Sequence, residues 1–173
     1  MQQLKDLFAD ETSRAITDYA IALIHKKPEL CEEVVKIVFK NEEPYSRRAI
    51  WVMDSFDEEN SGTARPYLNT LIDHLKTFGH DGMKRHSLRI LSRYRIPEDR
   101  IVEVMDFCFS MLTLYQAAAI KVHAMEILYR LSHRVPEIKH ELAAAIEMSM
   151  TEGTAGVKNR GAKMLKKLQK EIG

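Results

Sequence analysis

The apolar positions of this chain recur in the same order at intervals of about 37 residues. Each copy has an apolar residue, a lysine, a small residue and an apolar–leucine pair at fixed spacing, as in residues 83–94, 120–131 and 157–168. Residues 45–56 form a looser copy, in which Ser46 replaces the lysine and Met53 the leucine. A period of this length is typical of stacked two-helix units, which bury their apolar faces only against neighbouring units. Because no long stretch alternates with period two, we predict an all-α fold.

An outer helix, called A, precedes each of these copies, which we call B helices. Pro28 and Pro66 lie one period apart and are expected to open A helices, and Pro97 and Pro136 lie at or just before later helix starts. The third and fourth A helices are predicted over residues 101–114 and 136–150. Short turns are predicted at residues 41–44, 79–82 and 152–156, where glycines of the last two are expected to adopt the left-handed cap that ends an A helix. The remaining turn is placed by the period alone, near Tyr115 and Gln116.

The small residue of each copy occupies one position, which is filled by Ala49, Ser87, Ala124 and Gly161. This pattern resembles the second helix of HEAT repeats over most of the chain. The resemblance implies a short right-handed α-solenoid of about four helical hairpins, preceded by an N-terminal capping helix segment. It is expected to form a single domain over residues 1–173, with units near residues 1–27, 28–60, 66–96, 99–134 and 136–172.

Residues 46–54 and 156–161 also resemble blocks of a small family of bacterial HEAT-like proteins of unknown role. Some members of that family are labelled adenylosuccinate lyase. The signature loop of true lyases, a Gly-Ser-Ser run followed by Met-Pro and Lys, has no counterpart in this sequence. We therefore rank adenylosuccinate lyase activity last among the functional interpretations.

The composition is that of a globular protein with a formal net charge of +1. Cys31 and Cys108 are too few for a disulfide framework, and Cys108 is expected to be a small buried hydrophobe. The sequence shows neither a signal peptide nor an apolar run of about 20 residues, so we expect a cytoplasmic protein without a membrane partner.

Charge divides unevenly between the two kinds of helix. Residues 57–64 are predicted to form the longest polar connection, between the first B helix and the next unit. Sixteen lysines and arginines and three acids fall in the B segments. Since B helices line the concave face of a solenoid, we predict a basic concave face there. Two interpretations stay open: a groove for an acidic partner, or a solvated face whose bases pair with acids of adjacent A helices. The predicted partner-binding residues are Arg48, Trp51, Arg85, His86, Arg89, Arg93, His123, Arg130, Arg160 and Lys163.

The leading functional hypothesis is a non-enzymatic interaction scaffold that binds an acidic protein segment. The alternative is nucleic-acid binding, as in HEAT-like DNA glycosylases of the alkylation-repair type, for which Trp51 and Asp54 resemble an aromatic platform beside a carboxylate. A lone large aromatic residue at helical spacing usually fills a core, so for Trp51 itself we favour core packing. The repeated bases (Arg47, Lys84, Lys121 and Lys158) are expected to pair with the turn acids Glu43, Asp81 and Glu152.

The seven histidines lack the spacing of a metal site, and no nucleophile triad, P-loop or dinucleotide fingerprint occurs. No catalytic residue, metal, cofactor or small-molecule substrate is therefore assigned from the sequence.

Overall fold

The computed structural model describes residues 2–10, 13–113 and 116–172, except for the side chain of Asp10. Within these ranges the regular structure is helical throughout, with no strand, which confirms the all-α prediction. The helices are α1 Gln2–Asp10, α2 Arg14–Lys26, α3 Leu30–Lys40, α4 Tyr45–Glu59, α5 Leu68–His74, α6 Asp81–Leu91, α7 Ile101–Thr113, α8 Ala118–Ser132, α9 Lys139–Thr151 and α10 Ala155–Ile172. They form two compact units, Met1–Ile90 and Leu91–Gly173.

The first unit is built around α4. This helix packs against α3, its partner in the hairpin, and also against α1 and α2. Its apolar face contributes Ala49, Ile50, Val52 and Met53 to the core, with the predicted small residue Ala49 fully buried. The N-terminal segment therefore consists of two helices that cover one side of the first complete hairpin.

The second unit contains two stacked hairpins. The first pairs α7 with α8 and the second pairs α9 with α10, while α7 also contacts α9 and α8 contacts α10. A helices thus stack on A helices and B helices on B helices, as the repeat pattern predicts. A Cβ added at Gly161 would overlap the side chain of Met150, so the small residue in α10 permits the close approach of α9.

Several local signals in the sequence determine where helices begin. The Ser13 hydroxyl accepts a hydrogen bond from the Ile16 amide at 3.3 Å and caps α2. Pro66 and Pro136 each lie in the first positions of a single 3₁₀ turn that leads directly into α5 or α9. Pro97 immediately precedes the corresponding turn before α7. The expected role of proline at these starts is confirmed.

The predicted glycine caps are wrong. Among the described residues, only Asn41 (φ 53°) and Gly62 (φ 103°) have positive φ. Asn41 is the cap residue that follows α3, whereas the cap residue that follows α9, Glu152, has φ −107° and is not left-handed. The third turn was placed near Tyr115, which lies outside the described residues, as does Leu114, the predicted end of the third A helix.

The end of the first B helix also differs from the prediction, and this changes the charge count. Helix α4 continues to Glu59 and therefore includes Asp57, Glu58 and Glu59, which were assigned to a connection. It carries four acids against two bases, whereas α10 carries six bases against one acid. The Asp57 carboxylate is buried and accepts the Ala64 amide at 2.8 Å, which ties the helix end to the following turn. The positive charge of the B helices is thus concentrated toward α10.

Candidate functional site

Many B-helix bases contact groups about one repeat earlier in the chain. In the first unit, the Arg48 guanidinium is only 8% exposed and donates to the backbone carbonyl of Phe8 in α1. Arg89 of α6 reaches both Asp54 and Glu58 of α4. These contacts join α4 to α1 and α6 to α4. The two guanidinium groups are therefore engaged by other groups of the protein.

Asp54 is the centre of a buried polar network in the first unit. Its carboxylate has no solvent exposure, and Oδ2 accepts from His86 Nδ1 at 2.7 Å and from Arg89 Nη1 at 3.0 Å. A carboxylate without solvent requires such donors because desolvation of a charge is costly. The network therefore fixes α6 against α4 by polar contacts as well as by packing.

His86 connects this carboxylate to the surface. Arg85 Nη2 lies 2.8 Å from His86 Nε2, and since an arginine can only donate, Nε2 is the acceptor and Nδ1 carries the proton given to Asp54. Burial lowers the pKa of His86 below its ordinary value, although the Asp54 carboxylate opposes this shift. His86 is therefore a neutral donor at neutral pH.

Trp51 packs on this network. Its ring lies nearly parallel to the His86 ring, with 5.9 Å between centroids and 22° between planes, and its side chain is half-buried. Because Asp54 is fully enclosed behind these rings, it is not accessible as a carboxylate beside an open aromatic platform. The arrangement matches the packing interpretation of Trp51.

In the second unit, three more arginines reach back in the same manner. Arg130 donates to the Ser92 carbonyl, and Arg134 Nη1 donates to the Ile96 carbonyl at 2.6 Å. Arg160 of α10 pairs with Glu126 of α8, which links the two B helices of this unit. The partners of these bases are thus carbonyl oxygens, the B-helix acid Glu126 and, for Arg134, also Glu98 in the turn before the A helix α7.

The repeated base has different partners in different copies. Arg47 pairs with Glu43 at 3.2 Å, as expected from the turn acids. Lys121 Nζ instead donates to the Leu112 carbonyl at 3.1 Å, close to the end of α7. Lys158 is exposed and makes no ion pair among the residues the structure describes.

The ten predicted partner-binding residues separate by exposure. Arg48 and His86 are buried, so the prediction that they lie on an exposed face is wrong, because each satisfies a buried group of the preceding helix pair. The half-buried members are Trp51, Arg89, Arg93, His123 and Arg160. The exposed members are Arg85, Arg130 and Lys163.

Helix α10 presents the most exposed positive charge. Its buried residues are Val157, Gly161, Met164 and Leu168, whose spacing places them on one face of the helix. Away from that face five lysines are exposed, which are Lys158, Lys163, Lys166, Lys167 and Lys170. Lys167 Nζ lies 5.1 Å from the ring centre of Tyr129 on α8, and this leaves the ammonium at the surface. We call these five residues the α10 lysine surface.

The last turn of α10 is anchored by one carboxylate. Glu171 accepts from Tyr129 Oη at 2.6 Å and pairs with Lys139 Nζ at 3.0 Å. The hydrogen bond from Tyr129, followed by that from Lys139, lowers the pKa of Glu171 to about 2. The same hydrogen bond, in which Tyr129 donates to Glu171, raises the pKa of Tyr129 to about 12. This acid therefore serves the fold and does not neutralise the lysine surface.

A pocket of about 250 Å³ lies in the second unit between α8 and the segment that follows α6. Its apolar lining consists of Leu91, Tyr94, Ile96, Ile127 and Leu131. Its charged lining consists of Arg95, Arg130 and Arg134, and we call the whole the arginine-rimmed pocket. The sequence interpretation included only Arg130. Repeat spacing is the signal that relates Arg134 to Arg130, since each contacts a carbonyl 38 residues earlier.

Neither a metal-ligand cluster nor a helix of membrane-crossing character occurs in the part of the chain that the structure describes. No group of three or more His, Cys, Asp or Glu side chains there is placed to hold a metal ion. None of the helices described there combines the length and apolar content that a membrane crossing requires.

The stacked hairpins, with a small residue at one position of every B helix, define a helical-repeat protein. A family model described as HEAT repeat domain matches residues 3–168, and the chain belongs to this family. Neither curated proteins nor solved structures give a match. Repeat proteins of this kind present extended surfaces that commonly serve protein interaction.

Proposed function

We propose that this protein is a non-enzymatic interaction scaffold that binds an acidic segment of another protein. The observation that carries the proposal is the α10 lysine surface, in which five lysines are exposed on one helix. Many other B-helix bases contact acids or carbonyls of a neighbouring helix, and those contacts account for them without any ligand.

Electrostatics favours an acidic partner over a neutral one. Helix α10 has six bases and one acid, and that acid, Glu171, is engaged by Tyr129 and Lys139. Lysines held close together on one helix repel one another, and a row of carboxylates relieves that repulsion while it speeds association. The adjacent helix α8 adds the exposed Arg130.

The experiment measures binding of a fluorescein-labelled polyglutamate peptide by anisotropy at low salt. Neutralising four lysines together, Lys163→Gln, Lys166→Gln, Lys167→Gln and Lys170→Gln, defines the α10 variant. We expect it to weaken binding about tenfold or more, since exposed charge contacts contribute roughly 0.2–1 kcal/mol each.

The matched control removes the same charge elsewhere. Lys26, Lys27, Lys36 and Lys40 are also exposed, and they lie in the first unit. Their replacement by Gln should leave the peptide affinity close to that of the unmodified protein. Equal losses in the two variants would show that only net charge matters and would overturn the proposal.

Nucleic-acid binding is the competing outcome of the same experiment. If duplex DNA replaces the peptide, a nucleic-acid protein that contacts six or so phosphates loses about 10³-fold in affinity between 50 and 200 mM salt. Tight, steeply salt-dependent DNA binding together with weak peptide binding would favour that alternative over an acidic protein segment.

A further inference from the structure

The arginine-rimmed pocket combines an apolar interior with positive charge at its edge. Leu91, Ile127 and Leu131 line it and are almost fully buried by the fold. Its volume of about 250 Å³ is below the roughly 300–1,000 Å³ of sites for drug-sized ligands. The pocket therefore has the size for one large apolar side chain rather than a cofactor.

One carboxylate already occupies the charged edge. Glu98 Oε1 lies 2.8 Å from Arg95 Nη2 and 2.6 Å from Arg134 Nη2, so two of the three arginines share it. The side chains of Glu98 and Arg95 are 69% and 76% exposed, and an exposed ion pair of this kind exchanges readily with other ions. The guanidinium groups of Arg134 and then Arg95 also hold the pKa of Glu98 below its ordinary value.

Two donor atoms of Arg134 lack a well-aligned acceptor. Nε and Nη2 are buried and make no hydrogen bond among the described residues, although Nη2 lies within ion-pair distance of Glu98. Buried donors are normally satisfied, and a guanidinium offers paired N–H groups that match the two oxygens of a carboxylate. Three arginines and one glutamate leave the edge of the pocket positively charged.

From this geometry we infer that the arginine-rimmed pocket binds an acidic peptide segment through one large apolar side chain flanked by carboxylates. The apolar side chain enters between Ile127 and Leu131, and a peptide carboxylate takes the place of Glu98 at Arg95. Glu98 then acts as a competitor within the protein. This inference rests on the proposed function, because it specifies the anchor by which an acidic partner is recognised.

The test compares two short fluorescein-labelled peptides of equal negative charge, one with a central phenylalanine and one with serine in its place. We expect the phenylalanine peptide to bind at least about tenfold tighter to the unmodified protein, as burial of an aromatic side chain implies. Glu98→Gln should tighten its binding, because the competing carboxylate is gone. Arg95→Gln should weaken it.

Arg14→Gln provides the matched control, because Arg14 also forms an exposed ion pair within one helical turn, with Asp18. It should leave both affinities unchanged, and circular dichroism should show that every variant is folded. If the two peptides bind equally and Glu98→Gln has no effect, the pocket inference is wrong while the charge-based function stands. If neither peptide binds, both are overturned.

Other occupants give distinct results. Displacement of the phenylalanine peptide by phenylacetate at a comparable concentration would identify a small apolar carboxylate as the ligand and overturn the peptide assignment. Dimerisation in sedimentation, abolished by Arg95→Gln, would place a second copy of the chain in the pocket and overturn it as well.

Discussion

In the first unit, Asp54, His86 and Arg89 of two B helices contact one another around a buried carboxylate, whereas α10 of the second unit presents its lysines to solvent. Asp54 is fully buried and receives His86 and Arg89. Lys163 and Lys166 of α10 are exposed. Both sets of residues lie on B helices, which are copies of one repeated element. The difference shows that the charged residues of a B helix are either buried or exposed, depending on whether an acceptor lies in the preceding helix pair.

Residues at one repeat position illustrate this directly. Arg48, His86, His123 and Arg160 occupy equivalent places in four successive B helices. Arg48 and His86 are buried against Phe8 and Asp54, whereas His123 and Arg160 are half-buried. Burial of the first two excludes them from a partner surface in this structure.

The largest expected effect concerns Asp54. Replacement of Asp54 by Ala leaves the buried His86 donor and the Arg89 guanidinium without their shared acceptor, and it should reduce the free energy of unfolding by about 3–5 kcal/mol. Chemical denaturation measures this loss. Asp54→Asn, which keeps the shape and an acceptor oxygen, should cost less. A value within about 0.5 kcal/mol of the unmodified protein for Asp54→Ala would contradict the structural role of the network.

A smaller effect is expected at Arg48. Arg48→Gln is too short to reach the Phe8 carbonyl, and loss of a buried hydrogen bond from a charged donor should cost about 1–3 kcal/mol. Because the contact holds α1 against α4, hydrogen exchange should accelerate first in α1. Arg14→Gln, in an exposed pair, should change stability by less than about 1 kcal/mol. Unchanged exchange in α1 would remove Arg48 from its assigned role.

The pH dependence of the second unit gives a still smaller effect. The pKa of Glu171 falls from an ordinary 4.5 to about 2 in the folded protein. Its contribution to stability is therefore complete above pH 4.5 and is lost as the pH falls through about 2. Lys139→Gln removes one of the two main donors and should raise the pKa of Glu171. NMR titration of its carboxyl group measures both values, and a midpoint that Lys139→Gln does not move would contradict the assignment.

Most of the fold was predictable because helical packing depends on features that repeat along the sequence. The small position at Ala49 and Gly161 and the prolines at 66 and 136 each constrain a helix locally, and the structure places them as expected. Left-handed caps were not predictable in this way. A helix can end without a residue of positive φ, as α9 does before Glu152. The left-handed conformation that we predicted for glycines after two later A helices is instead adopted by Asn41, after α3.

The candidate site was less predictable because charge counts do not show which bases are paired. The count depended on ending the first B helix before Asp57, and the three further acids of α4 reverse the sign of that helix. Contacts such as Arg134 with Ile96, or Arg89 with Glu58, depend on distances between helices of different repeats. The sequence gives the number of residues between such groups, but it does not show which acceptor a long side chain reaches.

The central claim is tested most directly by measuring two properties of the α10 variant, its free energy of unfolding and its affinity for the acidic peptide. This variant carries glutamine at positions 163, 166, 167 and 170. If these lysines serve binding and not folding, its free energy of unfolding stays within about 0.5 kcal/mol of the unmodified protein, since exposed substitutions rarely cost more. Its affinity for the acidic peptide should fall about tenfold or more. A clear loss of stability with unchanged peptide binding would contradict the account.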